Sequence, residues 1–327
     1  MKFEDIRTAV IGVGSMGQNH ARVLNEISNL VGVVDLDKEQ GQKIAKSNNT
    51  QYYQDYREIV GSVDAVCICV PTKYHKKVSE VFYTSGVHIL VEKPLSDSLA
   101  NAKYIRDGAA KSNVILSVGH IERFNPVVTE AKNQILKNSW GCIISLNSTR
   151  VSNFPARISD VGVLFDLSVH DIDISSYLID SPVKSVYAAG LSVIGENEEH
   201  VNIILKHESG VISVFQTNWL TPMKIRKLAI TSDKCYIDLD YIKQNIKVYS
   251  SQHKKLDESN LYNSKLEFIK KEVKIKKKEP LLSEIENFLS SVISKEQPLV
   301  DGNQGVYIVK VAEAAVKSIK ENKTIYI

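Results

Sequence analysis

The chain has 327 residues, 43% of them hydrophobic, with 41 basic residues against 38 acidic ones for a net charge of +3. That length exceeds one ordinary core and suits two domains. Dispersed lysines give no nucleic-acid-binding stripe, no apolar run approaches the roughly 18 residues of a bilayer span, and the N-terminus lacks a basic, apolar, small-residue secretory pattern. The expectation is a cytoplasmic protein with small-molecule partners, no nucleic acid and no membrane. Its four cysteines are Cys67, Cys69, Cys142 and Cys235. Cys67 and Cys69 alternate with Ile68 on an apolar run and have no second pair at zinc spacing, so they read as buried reduced thiols and no metal is expected.

Up to about Gly119, short β-branched runs near Thr8, Val31, Ala65, Ile89 and Ile115 alternate with helical patterns near Ala21, Lys43, Val78 and Ala102. This is the rhythm of a parallel, doubly wound α/β sheet. Between the first strand and first helix stands Gly12-Val13-Gly14-Ser15-Met16-Gly17, a GxGxxG loop in the setting that dinucleotide binding requires. The first glycine permits the turn, the second admits pyrophosphate to the backbone, and the third lets helix and strand pack. Asp35 ends the second strand at the distance expected for a carboxylate that accepts both ribose hydroxyls, which points to NAD rather than NADP. Lys38 is close enough to soften that preference. Ligands of such sheets lie beyond the carboxyl ends of the strands. Pro71, Thr72 and His75 after the third strand read, and Glu92 and Lys93 after the fourth, should therefore join Gly12 to Gly17 and Asp35 at one cofactor-binding rim.

Past Ile121 the rhythm changes. A helix is expected over Pro126 to Asn138, a strand over Ile143 to Arg150 and a helix over Leu164 to Leu178. Alternating strands follow at Val201 to Lys206, Val211 to Trp219 and Leu228 to Thr231, divided by turn signals such as Glu208-Ser209-Gly210. Helices over Leu281 to Ser294 and Gln304 to Lys320 and a short strand at Thr324 to Ile327 close the chain. The expected organisation is a Rossmann domain over 1–121 and an α+β domain over 122–327 with a largely antiparallel open sheet. The lysine-rich run Lys270 to Lys278 carries Val273 and Ile275 in alternation, the pattern of a strand edge guarded by charge. The open sheet would offer a face for self-association, so a homo-oligomer, dimer or tetramer, is expected.

Val91-Glu92-Lys93-Pro94 leaves a strand, and in Asp166-Leu167-Ser168-Val169-His170 an acid and a histidine share one helix face a turn apart. With the glycine loop, the E-K-P tripeptide, the D-x-x-x-H helix and Glu279-Pro280-Leu281 leading to Ala312-Glu313-Ala314, the chain resembles the Gfo/Idh/MocA family of sugar and cyclitol dehydrogenases over nearly its whole length. Gly119 to Pro126 and Arg157 to Val163 are most similar to the UDP-N-acetylglucosamine 3-dehydrogenases within that family. Ser168 and Val161 to Val163 depart from the broader family, where glycines are common.

Oxidising a secondary alcohol needs a base for the hydroxyl proton and a donor to hold the oxygen. An imidazole, with its ordinary pKa near about 6.5, suits the base at neutral pH, whereas an amine ordinarily stays protonated. His170 is therefore assigned as base, and Lys93 as the group that binds the reacting oxygen, with proton relay through Lys93 left open. Asp166 orients the substrate or the histidine. These roles agree with what the resemblance implies, and require Lys93 and His170 to meet at one alcohol. A UDP-sugar brings a diphosphate, for which a guanidinium fork suits two oxygens together. Arg123 and Arg157 are the candidates, with Asn125 as a further substrate contact and Arg150 ranked lower. Asp173 reads as a helix-surface acid. The resemblance implies oxidation at C3 of the sugar, feeding an aminotransferase. The alternatives are another sugar, a UDP-uronate or an inositol as substrate, or a noncatalytic NAD-dependent sensor on the same fold.

Overall fold

The computed structural model describes residues 2–154, 161–195, 197–251 and 268–327. The chain forms two compact units: one of Met1–Phe124 with Glu279–Glu313, the other of Asn125–Lys278 with Ala314–Ile327.

The first unit is built on β1 (Arg7–Ile11), α1 (Gly17–Ile27), β2 (Asn29–Val34), α2 (Lys38–Ser47), β3 (Gln51–Tyr53), β4 (Ala65–Ile68), α3 (His75–Thr84), β5 (His88–Glu92), α4 (Leu99–Lys111) and β6 (Leu116–Gly119). All six strands pair in parallel in the order β3-β2-β1-β4-β5-β6. The order reverses between β1 and β4, so a crevice opens beyond their carboxyl ends, where ligands of doubly wound sheets bind. Residues alternate between the two faces of a strand, and β4 shows the result: Val66 and Ile68 enter one core with Val78, Phe82, Ala102 and Ile105 of α3 and α4, while Ala65 and Cys67 enter another with Ala21, Leu24 and Ile44 of α1 and α2. The short β3 escapes sequence reading because Gln51, Tyr52 and Tyr53 carry no apolar alternation.

The second unit begins with α5 (Pro126–Leu136), β7 (Ile143–Asn153), a π-helical turn over Leu164–Ser168 and α6 (Val169–Ile179). Strands β8 (Val183–Leu191), β9 (His200–His207), β10 (Ile212–Asn218), β11 (Leu220–Ser232), β12 (Tyr236–Asp240), β13 (Asn245–Ser251) and β14 (Phe268–Val273) follow. Then come α7 (Pro280–Ser294), α8 (Gly302–Glu321) and β15 (Ile325–Tyr326). The nine strands of the second sheet lie in the order β14-β13-β12-β11-β7-β10-β9-β8-β15, antiparallel except where β10 runs parallel to β7. One face is covered by Val127, Val128 and Ala131 of α5 and Ile174 and Leu178 of α6, packed on Leu146, Leu228, Ile230 and Ile237. β14, carrying Lys270 and Lys271, stands at the sheet edge, whereas Ile275 and the lysines from Lys274 to Lys278 lie past its end at Val273.

The expected organisation of 1–121 followed by an unbroken 122–327 differs from the units observed. The chain leaves the first unit near Phe124 and returns to it at Glu279. Hydrophobicity explains the return, because Leu281, Ile285, Phe288, Leu289 and Val292 of α7 complete the core that α1 and α2 share with the parallel sheet. A linear scan sees only that α7 is amphipathic and not which core takes its apolar side.

Candidate active site

At the glycine loop two of the three glycines have a steric reason. Gly12 has φ +86, and a Cβ there would sit 3.0 Å from backbone atoms of Cys69 and Val70. A Cβ on Gly17 would lie 1.8 Å from the Gly12 carbonyl oxygen, so the close crossing of α1 over β1 tolerates no side chain. Gly14 has nothing within 4 Å of its would-be Cβ. The middle glycine thus faces open space at the start of α1, whose N-terminus no side chain caps. Bare amides and a positive helix end beside a cleared backbone suit a pyrophosphate. Ser15 and Met16 sit on the same turn, Ser15 exposed.

Asp35 is fixed by two backbone amides, Val13 N–H to Oδ2 at 2.8 Å and Asp37 N–H to Oδ1 at 2.9 Å. Gln40 Nε2 donates to Val13 O at 2.9 Å, tying the same corner to α2. The carboxylate is half-buried, and each oxygen keeps a lone pair for a ribose hydroxyl. These features fit an adenosine dinucleotide with a free 2′-hydroxyl.

Pro71 and Thr72 follow β4 on a short turn with Pro71 exposed. His75 departs from its expected place among the cofactor contacts. It is 1% exposed, with Nε2 2.9 Å from Val70 O and Nδ1 3.1 and 3.3 Å from Pro94 O and Leu95 O. Burial holds its pKa below the ordinary imidazole range despite those carbonyls. Both ring nitrogens face backbone carbonyls, of which the neutral ring's single N–H can serve one side at a time, and neither nitrogen is presented outward. The sequence showed a histidine at a helix start; the inward rotamer comes from α3 packing.

Glu92 ends β5 with its carboxylate turned inward as well. His20 Nε2 of α1 donates to Oε1 at 2.8 Å, and Lys93 N–H donates to Oε2 at 3.1 Å. Burial pushes this carboxyl upward, but His20 and Lys93 outweigh it and hold it below the usual carboxylate range. Sequence reasoning missed His20, whose only signal was a polar side chain on the α1 face otherwise lined by Ala21 and Leu24. Cys69 Sγ lies within 4.8 Å of the donor atoms of both residues, and burial pushes that thiol well above its ordinary pKa. Lys93 follows directly, joined to Pro94 by a cis peptide bond.

Arg123 and Asn125 depart from the diphosphate and substrate roles expected of them. Arg123 is 3% exposed on a short turn after β6, and its Nη1 donates to Leu299 O at 3.4 Å within the first unit. Asn125 is 4% exposed and caps α5, its Oδ1 accepting from Val127 N–H at 3.3 Å while Nδ2 donates to Tyr241 O at 3.2 Å. An Asn immediately before Pro at the first helical position is a capping signal, readable in advance from Asn125-Pro126. Arg157 lies outside the described residues.

In the second unit the D-x-x-x-H segment is not one continuous α-helix. Asp166 lies within the π turn and is half-buried, while His170 enters α6 and is buried. Such turns recur at functional sites because they shift side-chain directions against the helix that follows. Ser168, where glycine was the family habit, bonds Thr217 of β10 through their hydroxyls at 2.6 Å and so pins the junction. Next to His170, Asp171 receives Arg150 Nε at 3.0 Å and the Ser148 hydroxyl at 2.7 Å, the arginine and aspartate side chains each 1% exposed. The Arg150 guanidinium also lies 5.1 Å from the centre of the Tyr241 ring. This pair locks α6 to β7 and gives Arg150 a structural part. Asp173, expected at the helix surface, is fully buried because α6 is enclosed between α5 and the sheet.

Residues 6–120 match the model of the GFO/IDH/MocA oxidoreductase family with its NAD-binding Rossmann fold, and residues 128–237 match the C-terminal domain model of that family. The chain belongs to the Gfo/Idh/MocA family. It is an NAD-dependent oxidoreductase of the class that acts on CH–OH groups. Among relatives, it is 26% identical over 308 residues to UDP-N-acetylglucosamine 3-dehydrogenase of Acidithiobacillus ferrooxidans, covering 94% of this chain and 95% of that one. A solved structure of that enzyme superposes with a TM-score of 0.87 at 25% identity, over 97% of this chain and 98% of the other. Myo-inositol 2-dehydrogenase of Thermotoga maritima is 24% identical over 98% of both chains. No helix among the described residues is long and apolar enough to cross a membrane.

Proposed function

We propose that this Gfo/Idh/MocA member oxidises the C3 hydroxyl of UDP-N-acetylglucosamine to the 3-keto sugar. The observation that carries the reading is the near full-length likeness to UDP-N-acetylglucosamine 3-dehydrogenase, in sequence and in fold. Bound NAD supplies the hydride acceptor. Gly12, Gly14, Ser15, Met16 and Gly17 would hold its pyrophosphate and Asp35 its adenosine ribose, with Pro71 and Thr72 as further cofactor contacts. His170 removes the hydroxyl proton as the carbinol hydrogen leaves as hydride. Lys93 donates to the substrate oxygen and stabilises the negative charge that develops there. Asp166 orients the sugar, and Arg157 binds the diphosphate. The ketone product is a substrate for a transamination, which would place an aminotransferase next in sequence, and the open sheet of the second unit is the self-association face of a homo-oligomer.

The likeness to a myo-inositol 2-dehydrogenase supports the second reading, in which a cyclitol is oxidised. Reduction of NAD, followed by nicotinamide absorbance across UDP-sugars, free hexoses and inositols, separates the two. Because ketone formation is uphill, the panel is run with an aminotransferase or hydrazine trap. Turnover with inositols and none with UDP-N-acetylglucosamine would overturn the first reading.

A further inference from the structure

Two buried imidazoles converge on the short turn that carries Lys93, and neither belongs to the catalytic set. On the amino side, His20 donates to the Glu92 carboxylate, whose other oxygen accepts from the Lys93 amide. On the carboxyl side, His75 Nδ1 reaches the carbonyls of Pro94 and Leu95, the two residues after Lys93. His20 is wholly buried and His75 nearly so, which makes each bond costly to lose. All these groups lie within the first unit. Apolar side chains pack on both faces of the sheet apart from these two rings. Moreover, Gly119 of β6 lies so close to Glu92 that a Cβ there would come 3.1 Å from its carboxylate, leaving the acid one narrow slot.

We infer that His20 and His75 are positioning residues that fix the Lys93 backbone from both sides, His20 through Nε2 and the Glu92 carboxylate, His75 through Nδ1 and the Pro94 and Leu95 carbonyls. This rests on the reading of Lys93 as the group that holds the reacting oxygen. A lysine stem has four rotatable carbons, so aiming its ammonium to within the tolerance of a proton-transfer site requires that its Cα not wander.

The two rings use different nitrogens, and that makes the inference testable by exchange of side chains. The Asn amide nitrogen stands near the place of imidazole Nδ1, and the Gln amide nitrogen near that of Nε2. At position 75, with the ring N–H on Nδ1 as the inference requires, His75→Asn keeps a donor toward Pro94 and Leu95, whereas His75→Gln offers one only toward Val70. At position 20 the expectation inverts: His20→Gln keeps the donor to Glu92 and His20→Asn does not. His20→Phe and His75→Phe retain a ring and lose its N–H donor.

The readouts are turnover with whichever alcohol the panel identifies, the NADH dissociation constant, the melting temperature, and the NMR resonance of Lys93 after reductive ¹³C-methylation, assigned with Lys93→Arg. The Phe variants are expected to lose about 10- to 100-fold in turnover. They should shift or broaden the Lys93 resonance and leave NADH affinity within about two-fold. His75→Asn and His20→Gln should restore both turnover and resonance, and His75→Gln and His20→Asn should not. Restoration by the opposite amides, or losses in all six variants that follow melting temperature alone, would overturn the inference. Lys93→Ala separates the two layers. If that variant turns over normally, the role given to Lys93 fails whatever the histidines do. If it is inactive while the Phe variants match the parent enzyme in turnover and resonance, the positioning inference fails alone.

Discussion

The proposed role of Asp35 in the choice between NAD and NADP is tested by Asp35→Asn with little change of shape. Asp35 is held by the amides of Val13 and Asp37 at 2.8 and 2.9 Å, so it cannot swing away from a bulkier ligand without breaking two backbone bonds. A 2′-phosphate about 4 Å away is disfavoured by roughly 1 to 4 kcal/mol between bulk-water and protein-surface screening. That corresponds to a factor of about 5 to 1,000 in relative affinity. Asparagine keeps one acceptor oxygen and loses the charge, so the preference for NADH over NADPH should shrink by a factor in this range. Nicotinamide fluorescence titration with both dinucleotides gives the ratio directly. Repeating it at high salt should narrow the parent's preference and leave the variant's nearly unchanged, because only the former is electrostatic. The lost acceptor also leaves one amide short of a partner, at a stability cost of about 1 to 3 kcal/mol, so melting temperature is followed in parallel. An unchanged NADH to NADPH ratio in a folded variant would place the adenosine ribose elsewhere and refute the argument.

Four further outcomes are expected. Gly14→Ala should leave melting temperature unchanged and weaken NADH binding, whereas Gly17→Ala should lower both, because only the second puts a Cβ 1.8 Å from a backbone oxygen; equal stability of the two variants in thermal melts contradicts this. His170→Ala should reduce turnover by roughly 10² to 10⁴ with NADH affinity preserved, and undiminished turnover would remove the imidazole from proton transfer. Arg150→Met strands the buried Asp171 charge beside Ser148 alone and should destabilise by about 3 to 5 kcal/mol in urea unfolding, with a loss under about 1 kcal/mol arguing against the pair. Burial lowers the pKa of His207, whose nitrogens sit 3.0 Å from Ser181 O and 3.1 Å from Ser213 Oγ. Since the unfolded chain then takes up its proton first, the stability His207 contributes is complete above about pH 6.5 and is lost as pH falls toward the folded-state value. His207→Gln should flatten the fall in urea midpoint between pH 7.5 and 5, and an identical slope would assign it to other groups.

The parallel sheet was legible because its signals are local: short buried strands, helix periodicity, and a glycine loop whose first and third positions answer to backbone contacts while the second stands in open space. Asp35 was legible for the same reason, since its place at the end of β2 follows from strand length. Legibility failed where a side chain's direction depends on what packs over it. Nothing in Pro71 to His75 tells that the imidazole turns toward Pro94, or that Arg123 folds back to the Leu299 carbonyl. The π turn at Leu164–Ser168 was hidden because its hydrophobic spacing also fits an α-helix. Asn125 was legible as a cap, because it stands immediately before a proline at the first helical position.

The return of residues 279–313 to the first unit has a consequence for biosynthesis. A ribosome releases the parallel sheet and then residues 125–278 before α7 emerges. Until then the side of the sheet that will receive Leu281, Ile285 and Phe288 is open to water. The nascent chain therefore carries an incomplete core through most of its translation, and premature termination before Glu279 yields a product with a permanent sticky flank, a natural client for chaperones and proteases.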